Sequence, residues 1–105
     1  MKENNINLSK QLKPNTKILS GRPEGKQARK EYNLIQVDRN DEVITVIFDE
    51  KVKGINPSFF LGLFGDSLKV MGIEKFRKKY IFQCNDVIKE NIEEGIGRAK
   101  REYDL

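Results

Sequence analysis

The run Val43-Ile44-Thr45-Val46-Ile47-Phe48 constrains this chain more than any other stretch. Only Thr45 in it is polar, and the β-branched and aromatic side chains suit a pleated, covered surface. A run apolar on both faces predicts a strand over 42–48 that is covered on both sides and central in an α/β sheet. KYIFQC, at 79–84, predicts a second buried strand. Between them Asn56 and Pro57 open a helix, Asn as the cap and Pro at the first helical position. Ile55 and Phe60 stand at the spacing of a hydrophobic staple. Phe60, Leu63, Phe64, Leu68 and Met71 then recur on one helical face, which predicts a helix over 57–71. Gly72 follows as a left-handed C-terminal cap, and residues 73–78 read as a connection or a short helical turn.

The flanks complete the pattern. Asn85 or Asp86 caps a last helix running to about Glu102, with Val87, Ile88, Ile92, Ile96 and Ala99 on its apolar face. Gly95 and Gly97 within it suggest close backbone packing or a kink. Upstream, PEGKQARKEYN at 23–33 reads as a surface helix with Pro23 in its first turn and Arg29 and Lys30 late, complementing the dipole. LIQV at 34–37 either extends that helix or begins a strand, and DRND at 38–41 is a turn. TKILS at 16–20 is a short edge strand, which could also pair between chains. Residues 1–14, rich in Asn, Lys and Gln, read as a flexible arm with room for one short strand. The remainder, 15–105, is read as a single domain. Strands alternating with crossover helices imply a small, mostly parallel or mixed sheet of four or five strands with three main helices packed on it.

Composition narrows the chemistry. The chain of 105 residues has one cysteine and no histidine. That excludes a disulfide framework, a zinc site of the usual Cys/His kind and every catalytic constellation built on imidazole. Neither a P-loop nor a dinucleotide-binding glycine pattern occurs. An enzyme is not expected, nor a metal or other cofactor. Cys84, at the end of a buried strand, reads as inert. No apolar run is long enough to span a membrane, and the polar N-terminus does not read as a signal peptide or anchor, so a cytoplasmic location is expected.

The stretch VIFDEKVKGINPSFFLGLFGDSLKVMG resembles the STAS-like domain family formerly called DUF4325. A buried strand ends in Asp49, a short link follows, and then Ile55, Asn56, Ser58 and Phe59 lead into an apolar helix. Gly21-Arg22, the small-residue helix after it, and the later strand and helix extend the resemblance over roughly 16–102. The family takes its name from the STAS fold of bacterial anti-sigma factor antagonists, in which helices pack on one side of a sheet. The resemblance implies a regulatory partner-switching module. Its partner would be a GHKL-type ATPase or kinase, and a Ser at a helix start would be the phosphorylated residue. In this chain the usual phosphorylated position is Pro57, and Ser58 matches the serine after it. Asp49, Asn56, Ser58 and Phe59 are therefore the expected partner-binding residues, with Ser58 as the phosphorylation candidate.

Charge supplies a second reading. Lysine and arginine number 20 against 16 acids, a formal net charge of +4. Lys26, Arg29 and Lys30, with Lys75, Arg77, Lys78 and Lys79, would then form a nucleic-acid-binding surface. Against that reading, acids are interspersed and no aromatics alternate with the basic runs, as single-strand binding requires.

Overall fold

A computed structural model describes residues 4–105. Among the described residues there are five short strands: β1 (Asn5–Asn7), β2 (Ile18–Leu19), β3 (Ile44–Ile47), β4 (Gly54–Ile55) and β5 (Tyr80–Gln83). The helices are α1 (Arg22–Glu31), α2 (Leu34–Val37), α3 (Pro57–Lys79) and α4 (Asp86–Glu102). The architecture is α/β, and all strand pairings are parallel. One sheet has the order β1-β3-β5, and a separate pair joins β2 to β4.

β3 is central, but it is covered on one face only. Ile44, Val46 and Phe48 are buried, whereas Val43 is exposed and Thr45 and Ile47 are half-buried. β5 follows suit: Tyr80 is buried and Ile81 exposed. The expectation of strands covered on both faces is thus corrected. The helices pack against one face, and an apolar run supplied more hydrophobic residues than the covered face uses. On that face Phe64 is the hub of an aromatic cluster, with ring centroids 5.0 Å from Tyr80 and 5.2 Å from Phe76.

The N-terminal segment supplies the one short strand it had room for, and corrects the rest of the reading as a flexible arm. Residues 1–3 of the expected arm lie outside the described residues, but Asn5–Asn7 pairs with β3 in register Ile6↔Val46. Ile6 and Leu8 are buried, and a 3-10 turn over Leu8–Gln11 follows, capped by Asn7. Two well-placed apolar residues anchor a segment whose composition reads as loose. The 49–55 link likewise contains β4, which pairs with β2 and so removes Ile18–Leu19 from the main sheet's edge.

α1 ends at Glu31, and Asn33, in the left-handed region at φ 55°, separates it from α2. That settles LIQV as a helical turn. Helix 57–71 ends as expected at Gly72, whose φ of 80° and ψ of 164° suit only glycine. The chain then resumes as helix to Lys79, the helical alternative for 73–78 but longer than a single turn, because Phe76 buries itself in the aromatic cluster. α1 crosses α3 at two glycines: a Cβ on Gly62 would lie 2.3 Å from the Arg22 carbonyl oxygen and 3.0 Å from the Gly25 Cα. Gly95 admits the Phe60 ring to α4 in the same manner, so the close-packing reading of that glycine holds.

Candidate functional site

The start of α3 is built from both sides. The Asn56 amide donates to the Leu19 carbonyl at 2.8 Å, fixing the residue to β2. Its side-chain oxygen accepts the Ser58 amide at 3.0 Å and the Ser58 hydroxyl at 2.8 Å. α4 contributes Asn91, whose side chain accepts the Ile55 amide at 3.0 Å. Asn56 is exposed and Ser58 half-buried, so both present polar atoms at the surface. The cap itself is worth about 1 kcal/mol.

Asp49 leaves β3 at a different place. It accepts the Lys51 amide at 2.9 Å. That bond, then the side chains of Ser9 and Asn7, hold its carboxyl below the usual range. Among the described residues no hydrogen bond joins Asp49 to Asn56 or Ser58. The two groups sit at the carboxyl ends of strands in separate sheets. Phe59 is corrected outright: it is 1% exposed and belongs to the core. It follows Ser58 by one position and so turns inward, onto the face toward α1 where the Gly25–Gly62 crossing lies.

The expected basic surface is broken up. Arg29 is only 7% exposed. Arg77 makes a two-pronged pair with Glu93 at 2.7 and 2.8 Å. The Lys79 ammonium donates to the Asn40 carbonyl and side chain and to the Glu42 carbonyl, at 2.8–2.9 Å, and so pins the 40–42 loop. Lys26, Lys30, Lys75 and Lys78 are exposed, on two separate helices.

Sequence reasoning missed a buried polar network around Arg29. One terminal nitrogen of its guanidinium donates to the Leu63 carbonyl at 2.9 Å and to the Ser67 hydroxyl oxygen at 2.8 Å. The other donates to Asp38 at 2.7 Å. Ser67 donates to the same carboxylate at 2.7 Å, and the Tyr80 hydroxyl donates to its second oxygen at 2.5 Å. One carboxylate thus ties α1, α3, β5 and the turn after α2. Its partners lie 9, 29 and 42 residues away in sequence, so no local spacing announces it. Ser67 is fully buried and the Asp38 side chain nearly so, which makes this a structural clamp between the elements it joins.

Burial, reinforced by the Asp38 hydrogen bond and charge, raises the Tyr80 phenol far above its ordinary value of 10.0. A raised folded-state value favours the protonated form. The stabilisation is therefore complete below the unfolded value and lost as pH climbs through and beyond it. Thermal melts should show stability falling above about pH 10. Tyr80→Phe should cost about 2 kcal/mol at neutral pH, because the bond it deletes is charge-assisted, and should flatten that alkaline slope.

Compared with protein-family models, curated proteins and solved structures, the chain matches none. Among the described residues no cluster of metal-ligating side chains occurs, and no helix is long and apolar enough to cross a membrane.

Proposed function

We propose that this chain is a regulatory, non-enzymatic interaction module that docks a protein partner through the start of α3. Asn56 and Ser58 form the centre of the contact, and Asp49 with the 52–56 link forms its flank. One observation carries the reading: a surface hydroxyl and an exposed cap are held rigidly at the N-terminus of α3. Asn56 is bonded to β2 behind it and to Ser58 in front. The STAS-like resemblance supplies the partner class, a GHKL-type ATPase or kinase, and the phosphorylation of Ser58 as the switch. A phosphate there sits in the first turn, where the helix dipole favours an anion, although Pro57 has no amide hydrogen and the Ser58 amide is already bonded to Asn56. It would replace the hydroxyl that Ser58 donates to Asn56 and present negative charge to the partner without melting the helix.

The test is affinity capture from the native host's lysate with wild type, Ser58→Ala and Ser58→Asp, read by quantitative mass spectrometry. An ATP-binding protein should be retained by wild type and Ser58→Ala and lost by Ser58→Asp. Ser58→Asp should also melt at or slightly above the wild-type temperature, since a first-turn carboxylate contributes about 0.3–1 kcal/mol. Recovery of the same proteins by all three would sink the proposal.

A further inference from the structure

A groove of about 470 Å³ runs between the 38–43 turn and the C-terminal half of α3, away from the start of that helix. Its apolar lining includes Val43, Val70 and Met71. Val70 is 73% exposed and Val43 56%, and side by side they make an exposed apolar strip. Ile35, also exposed, adjoins Val70 in a neighbouring depression and extends the apolar strip. One side of the groove carries Asp41 and Glu42 beside Arg39, the other Lys75, Lys78 and Lys79. Among the described residues Asp41, Glu42, Lys75 and Lys78 make no ion pair, and the Glu42 carboxylate accepts the Asn4 side-chain amide.

The acidic wall is preformed. Lys79 pins the carbonyls of Asn40 and Glu42, and the buried Arg29 and Tyr80 hold Asp38 at its base. Little ordering cost remains for an occupant to meet. That occupant must be apolar along its middle, basic opposite Asp41 and Glu42, and acidic opposite Lys75 and Lys78. The same surface, turned about a twofold axis lying along the groove, has that arrangement. Each acidic wall then faces the other copy's basic wall, and the valines meet across the axis. We infer that this groove is a self-association surface, on which a second copy of the chain docks with twofold symmetry.

The experiment is sedimentation equilibrium of the full chain from roughly 10 µM to 1 mM, a range that resolves a dimer of micromolar affinity. Two charge variants accompany wild type: Asp41→Lys with Glu42→Lys, which makes both walls basic, and Lys75→Glu with Lys78→Glu, which makes both acidic. All four positions are exposed, and melting curves verify that the variants fold. Wild type should dimerise, more weakly as salt is raised. Each variant alone should lose at least about tenfold in dimer affinity, and an equal mixture of the two should recover a heterodimer. Val70→Asp should be monomeric throughout. Wild type that stays monomeric to 1 mM overturns the inference, as does a dimer indifferent to Val70→Asp or a mixture that fails to associate.

Discussion

Asp38→Ala should destabilise the protein by about 3–5 kcal/mol, the range for removing one partner of a buried ion pair. The substitution leaves the Arg29 guanidinium buried with only the Leu63 carbonyl and the Ser67 hydroxyl as acceptors. Asp66 does not replace the lost charge: its carboxylate lies 3.9 Å from the Arg29 Nε and is mostly solvated. Tyr80 and Ser67 lose their acceptor in the same step. Against a typical domain stability of 5–15 kcal/mol, a loss of this size lowers the melting temperature by roughly 15 °C or more. The cost belongs to the stranded charge. Arg29→Met combined with Asp38→Leu should therefore be less damaging than Asp38→Ala alone. Urea unfolding of the two proteins checks both statements, and a double variant weaker than the single would refute the charge argument.

Gly62→Val should be of similar severity, about 3 kcal/mol or more, at the upper end for overpacking a tight contact. A side chain there meets the backbone of α1, at the Arg22 carbonyl oxygen and the Lys26 amide nitrogen, with no flexible group able to yield. α1 and α3 must separate, and Phe59 and Ala28, both buried, lose their cover. Gly25→Val meets α3 reciprocally, at 2.2 Å from the Phe59 carbonyl oxygen. Since both substitutions strain one contact, their costs should not add. Gly97→Ala is the control. Its new Cβ would come no nearer than 3.7 Å to the Arg101 guanidinium, and it should raise helix stability by up to about 1 kcal/mol. Thermal melts of the three variants separate a crossing effect from a general intolerance of glycine replacement.

Elements whose signals are local were legible in the sequence. The Asn56-Pro57 start, the apolar stripe of α3 and the glycine stop at residue 72 all came through, since caps and helical periodicity depend on near neighbours. Strand existence was legible for β3 and β5, but their exposure was not, because Val43 and Ile81 look like core residues until the number of layers is known. β4 escaped, and β1 was legible only as room for one short strand, for a related reason. Strands of two or three residues are specified by the partner they pair with, Ile6 by Val46 and Ile55 by Leu19. Of the expected contact residues, Asn56, Ser58 and Asp49 reach the surface to some degree. Phe59 does not, because one helical position separates a surface serine from a core aromatic. Arg29 misled for a further reason. Arginine in a surface-type helix reads as solvated, and only the distant Asp38, Ser67 and Tyr80 reveal it as buried.

The most direct test of a docking site at the start of α3 is amide hydrogen exchange on this chain, free and with the captured partner bound. Protection should rise over 49–58, most strongly at Asn56 and Ser58, and the change should vanish with Ser58→Asp. Protection confined to 38–43 and 70–78, or absent throughout, would contradict the account and remove the start of α3 from the partner interface.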